Sequence, residues 1–108
     1  MSEPENLEEV MGLIMYGGDA KGKAIEAIEA AKSGDFDLAE EKMAEANESL
    51  VTAHKSQTSL LTSEAEGDNV EISLLLIHGQ DHLMNAITFV DLAKEMVDIY
   101  RKLRDVEK

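Results

Sequence analysis

The chain has 108 residues, enough for one hydrophobic core, and carries 23 Asp and Glu against 10 Lys and Arg, a net charge of −13. That balance argues against nucleic acid and against anionic membrane surfaces as partners, and favours proteins or small molecules. With no cysteine there is neither a disulfide nor a thiolate metal site, and the acidic start MSEPENLEEV is neither a signal peptide nor a membrane span, so a cytoplasmic protein is expected.

A single proline, few aromatics and abundant Ala, Glu, Leu, Met and Lys are the composition of helices. The predicted fold is all-α, a single three-helix domain over residues 1–108. Ser2-Glu3-Pro4-Glu5 reads as a helix start, with Ser2 as N-cap, Glu5 as its capping-box partner and Pro4 in the first turn. The first helix is expected over about residues 3–33. Ser33-Gly34-Asp35 then offers a C′ glycine followed by a fresh N-cap, leading into a second helix over about 36–66. Gly67-Asp68-Asn69 repeats the device, with Glu71 three residues after Asp68, and predicts a third helix over about 69–105. Arg101, Lys102 and Arg104 suit the negative end of its dipole. Short links between long helices give an antiparallel up-down-up bundle.

The third helix is apolar on two sides. At about 100° per residue, Ile72, Leu76, Leu83, Val90 and Val97 form one stripe, the expected core seam. Leu74, Leu92 and Ile99 fall nearly opposite. A helix apolar on two sides is usually covered on two sides, so the second stripe is expected to meet another subunit. Asp81 lies on that stripe, with His78 and Asn85 beside it and His82 at its edge.

The segment HGQDHLMNA, His78 to Ala86, therefore sets two histidines and an aspartate inside a greasy run. Polar groups that lose water cost about 1–3 kcal/mol each when unpaired, so they should either face solvent or have a use. Histidines at i and i+4 share a helix face, as in HExxH zinc proteins, but Gly79 stands where that motif needs its glutamate. A zinc hydrolase is thereby disfavoured, although His78, Asp81 and His82 could still hold a metal. A second use needs one exposed histidine. Neutral imidazole is a competent nucleophile near neutral pH and can carry a phosphoryl group onward, with His82 and Gln80 as available helpers. Spacing alone does not choose between these readings, nor does it exclude a non-catalytic helical scaffold or metal-binding module.

The segment VEISLLLIHGQDHLMNAITFVDLAKEMVDIYRKL resembles the third helix of the lactose/cellobiose-type enzyme IIA of the bacterial phosphoenolpyruvate-dependent sugar phosphotransferase system, whose usual motif is His-Ala-Gln-Asp-His-Leu-Met. The similarity extends through GGDAKGKAIEAIEAAKSGDFDLAEEKMAEANESLVTAHKSQTSLLTSEAEG and so covers nearly the whole chain. The resemblance implies a cytoplasmic homotrimer that accepts a phosphoryl group from the phosphocarrier protein HPr and passes it to a cysteine of the cognate enzyme IIB during sugar uptake, touching the membrane only indirectly through the sugar permease. It places the phosphorylated, catalytic nucleophile on His78, the helpers on Gln80 and His82, and the metal-binding aspartate on Asp81. One Mg2+ per trimer is implied, shared by Asp81 of the three subunits, which fits the preference of hard cations for oxygen. Gly79 departs from the usual alanine, at up to about 1 kcal/mol of helix propensity. Lactose, cellobiose and chitobiose systems share the motif, so it does not name the sugar.

Other features have simpler readings. Gly17-Gly18-Asp19-Ala20-Lys21-Gly22-Lys23-Ala24 fits GxxxxGK, but Ala24 stands where a P-loop needs Ser or Thr, and the preceding residues read as helix rather than strand. These glycines are expected instead to let helices approach closely, and Asp19 to lie near a neighbouring site. His54 is expected to be solvated or locally hydrogen-bonded. The six methionines are expected to fill core.

Overall fold

The computed structural model describes residues 6–107, which form three helices: α1 (Leu7–Lys32), α2 (Phe36–Ala65) and α3 (Leu74–Glu107). The Ser2-Pro4-Glu5 start lies outside the described residues. Asn6 adopts a left-handed conformation, φ 66°, so helix does not run back through it from Leu7 as expected. Asparagine tolerates that region, and its carbonyl accepts from the Val10 N–H to begin the ladder.

The first link closes as the sequence predicts. Gly34 is left-handed at φ 84°, its N–H donating to the Ala31 carbonyl and the Asp35 N–H to that of Ala30, a Schellman closure. Asp35 then caps α2, its Oδ1 accepting from the Leu38 N–H at 3.1 Å. Gly67, φ 90°, ends α2 by the same pair of bonds, Gly67 to Glu64 and Asp68 to Ser63.

The start of α3 differs from expectation. Asp68 and Glu71 make no capping box. The chain stays non-helical through Ser73, whose Oγ accepts from the Leu76 N–H at 3.1 Å and whose carbonyl accepts from Ile77. The physical reason is Val70, which packs on the apolar cluster of Val10, Leu13, Ala53, Leu60 and Leu83 and draws the link across the end of the bundle. Ile72, assigned to the core seam from its spacing, is consequently exposed and outside the helix. Loss of the Ser73 cap should be felt: Ser73→Ala is expected to lower stability by about 1 kcal/mol in urea denaturation, whereas Asp68→Ala should change it little.

Cross-helix contacts establish the up-down-up order. Gly12 faces Ser56, Asp19 pairs with Ser49 and Lys23 with Glu45, so α1 and α2 are antiparallel; Leu13 meets Gly79 and Lys21 lies over Phe89, so α1 and α3 run parallel. Alanines make the centre: Ala20, Ala24, Ala27, Ala39 and Ala46 are fully buried, which lets backbones approach closely. From α3, Leu83, Ala86, Val90, Ala93 and Val97 complete the core, with Leu76 half-buried. α1 packs extensively on both neighbours while α2 and α3 meet only lightly, so the molecule is a rod of 61 × 26 × 19 Å with α1 in the middle.

The far half carries much of the charge. Lys23, Glu26, Lys42 and Glu45 form a network of ion pairs of 3.4–3.9 Å, of which Lys23–Glu45 and Lys42–Glu26 join α1 to α2. Burial opposes the Lys42 charge, but Glu26 and Glu45 outweigh it and hold its ammonium above the ordinary lysine pKa. Arg101 reaches Glu40 at 2.6 Å, and Arg101 and Arg104 both lie over the Phe36 ring, so these cations tie α3 to α2 as well as facing the helix dipole.

Candidate functional site

One turn of α3 sends the residues of HGQDH in different directions. Gly79 points inward, where a methyl group would stand 3.3 Å from Leu13 Cβ and Cδ1 and 3.4 Å from the Val10 carbonyl oxygen. The glycine therefore lets α3 settle closely on α1 rather than merely loosening the helix. Gln80 turns toward α2, its Oε1 accepting from Gln57 Nε2 at 2.9 Å. Asp81 is exposed and His82 half-buried.

His78 and His82 come together. Their ring centroids are 5.7 Å apart with the planes tilted by 36°; His78 is exposed, and His82 leans on α1 against Gly17 and Gly18. Gln80 does not join them within one chain, since residues i and i+2 of a helix do not face each other and Gln80 is engaged with Gln57. Asp81, three residues after His78, shares its side of the helix but is exposed. Spacing had no means of revealing Gln57, which lies 23 residues away on another helix.

Asp81 follows the outer stripe of α3. Leu74, Leu92 and Ile99 on that stripe are 83%, 59% and 52% exposed, and Val106 extends it at 83%. Among the described residues, no three His, Asp or Glu side chains of one chain gather to hold a metal ion. GGDAKGKA runs unbroken through the middle of α1, which excludes a P-loop. Gly17 and Gly18 do admit close contacts from α3; Gly22 faces open space. Asp19 accepts a hydrogen bond from the Ser49 hydroxyl, joining α1 to α2. His54 lines an apolar groove of about 520 Å³ between α2 and α3, with Leu50, Val51, Lys55, Thr58 and Ile87. Of the methionines, Met43 is buried, but Met11, Met15, Met84 and Met96 are exposed, which corrects their assignment to core.

Charge is arranged around the histidines. Despite the net −13, the stretches 10–18, 49–63 and 72–80 contain no Asp or Glu, and these are the parts of the three helices that meet at the His78 end. Within those stretches an approaching dianion meets no like charge, Asp19 and Asp81 standing at their edges. An exposed imidazole with a second imidazole beside it, in such surroundings, can act as nucleophile toward phosphorus and as donor toward its oxygens. No helix among the described residues is long and apolar enough to cross a membrane.

Comparison with known proteins agrees with this chemistry. Residues 8–101 match the family model described as PTS system, Lactose/Cellobiose specific IIA subunit. The lactose-specific EIIA component of the PTS system of Streptococcus mutans is 49% identical over 90 residues, 83% of this chain and 86% of that one. The crystal structure of the PTS cellobiose-specific enzyme IIA from Bacillus anthracis superposes with a TM-score of 0.92 at 45% identity, covering 96% of this chain and 95% of its own. The IIA of the N,N′-diacetylchitobiose branch of the Escherichia coli phosphotransferase system, solved in complex with HPr, gives 0.80 at 36% identity, covering 94% and 99%. The chain belongs to the lactose/cellobiose-specific IIA subunit family of the sugar phosphotransferase system and is a phosphoryl carrier of that system.

Proposed function

We propose that His78 is the carrier residue, taking its phosphoryl group from HPr and passing it to a cysteine of the cognate enzyme IIB. The observation that carries this reading is the exposed His78 imidazole paired with His82, beside stretches of all three helices that contain no Asp or Glu. In the forward step a ring nitrogen of His78 forms a new N–P bond as the donor histidine's N–P bond breaks and that ring recovers its electron pair. In the second step the thiolate of enzyme IIB attacks phosphorus and the electron pair returns to His78. His82 is the group closest in character to a donor for the phosphoryl oxygens. Gln80 would serve transfer only toward a neighbouring subunit or partner, since its own chain engages it through Gln57.

HPr is supported as the donor by the complex solved for the Escherichia coli relative. Leu75 and Met84, exposed on the same turns of α3, would add apolar contact area to a transient interface. All of this takes place in the cytoplasm, with the membrane reached through the sugar permease. Relatives named for cellobiose and chitobiose share this fold, and sugar choice is assigned to the membrane component.

The assembly is proposed to be a homotrimer closed along the outer stripe of α3. Uncovered leucine and isoleucine over most of the length of a 34-residue helix are more than an isolated bundle needs to expose. Asp81, the one carboxylate on that stripe at the level of the site, would then face two copies of itself. Its donor set fits magnesium: one hard oxygen ligand per subunit, three around an axis, with water completing the shell. A bound ion would offset two of the three negative charges.

Incubation with phosphoenolpyruvate, enzyme I and HPr should give an acid-labile phosphoryl adduct on the peptide containing His78. No adduct with competent partners would instead favour a scaffold or metal-binding module. His82→Ala is expected to slow transfer by about 10²-fold while leaving the His78 adduct attainable. Wild-type rates in both directions would make His82 structural only.

A further inference from the structure

The three glycines in the middle of α1 are not equivalent. Glycine disfavours a helix interior, so each should have a reason to be there. At Gly22 a methyl group would meet nothing within 4 Å. At Gly17 it would meet α3 itself, with the Leu83 Cα at 3.6 Å and the His82 carbonyl carbon at 3.7 Å, as well as the His82 ring. At Gly18 it would meet one atom only, His82 Nε2, at 3.1 Å.

We propose that the bare backbone at Gly18 is the seat that sets the His82 imidazole, which makes Gly18 a positioning residue for transfer at His78. The inference rests on the reading of His78 as carrier and His82 as its helper. A carbon 3.1 Å from a ring nitrogen is inside ordinary contact distance, so a methyl group there displaces the ring by a few tenths of an ångström. The His82 ring has Gly18 against one of its atoms and the His78 ring 5.7 Å away, and movement off the first alters its placement relative to the second. The atom touched is a nitrogen, which is the part of the ring that would donate to a phosphoryl oxygen. Without a side chain at position 18, the space beside Nε2 stays open to that oxygen. A methyl group would fill it.

Gly22→Ala is a built-in control: the same substitution, one turn further along the same helix, with nothing to strike. Single-turnover transfer from phosphorylated HPr and thermal melting should be measured for Gly18→Ala, Gly22→Ala, His82→Ala and the Gly18→Ala/His82→Ala pair. Gly18→Ala is expected to reduce the transfer rate about tenfold, with the concentration dependence on HPr unchanged and a melting temperature no lower than that of the wild type. Gly22→Ala should melt no lower and transfer at the wild-type rate. In the His82→Ala background, Gly18→Ala should add no further loss, because the ring it displaces is gone. Normal transfer by Gly18→Ala beside a slow His82→Ala overturns the seat and leaves the carrier reading intact. Normal transfer by His82→Ala overturns the helper role beneath it. An equal loss in Gly22→Ala, or an unfolded Gly18→Ala, contradicts a contact confined to the ring.

Discussion

His78→Ala is expected to yield a folded, assembled protein that accepts no phosphoryl group, a loss of at least about 10³-fold from phosphorylated HPr. Its side chain is exposed and supports no part of the core, so stability should stay within about 0.5 kcal/mol of the wild type. No other side chain can take its place. His82 leans against α1 with Nε2 beside Gly18, and His54 lies in the groove between α2 and α3, on another helix. Labelling with phosphoenolpyruvate, enzyme I and HPr, alongside circular dichroism and sedimentation, checks each part. Phosphorylation of the variant at a normal rate would remove His78 from the mechanism altogether.

The second large effect is expected at Asp81. If three copies meet on a threefold axis, each pair of carboxylates about 4 Å apart repels by about 4 kcal/mol at an effective dielectric constant of 20. In that arrangement the wild type would depend on a bound cation such as magnesium to offset the repulsion. Asp81→Leu removes its source and continues the line of Leu74 and Leu92, adding about 2 kcal/mol of apolar burial per subunit. The variant should therefore remain trimeric with or without chelator, while chelation weakens only the wild type. Analytical ultracentrifugation of both proteins, with magnesium and with chelator, reads this directly. A wild type that stays monomeric in magnesium, or a helical variant that falls apart, would contradict the shared-ion model.

Much of the fold was legible in the residues because the signals are local. Gly34 and Gly67 end helices by adopting positive φ, and Asp35 caps the next one, each decided within about six residues. The 3.6-residue period placed Leu83, Val90 and Val97 inside, and set Leu74, Leu92 and Ile99 outside. The same period put His78 and His82 on one face. Resemblance supplied the family, which the comparisons then established.

Tertiary structure decided what depends on a distant part of the chain. Whether α3 began at Asn69 or at Leu74 turned on Val70 packing against the cluster of Val10, Leu13 and Leu60. Gln80 was readable as a helper, but its bond to Gln57 exists only because α2 returns antiparallel beside it. Gly18 was readable as a glycine that lets helices approach, but its contact with the His82 ring exists only because α3 packs across it. Capping and periodicity are properties of a few consecutive residues and can be read in one dimension. The orientation of an imidazole or an amide is set by whichever atoms the packing of another helix brings within 4 Å, and in this protein those atoms lie tens of residues away.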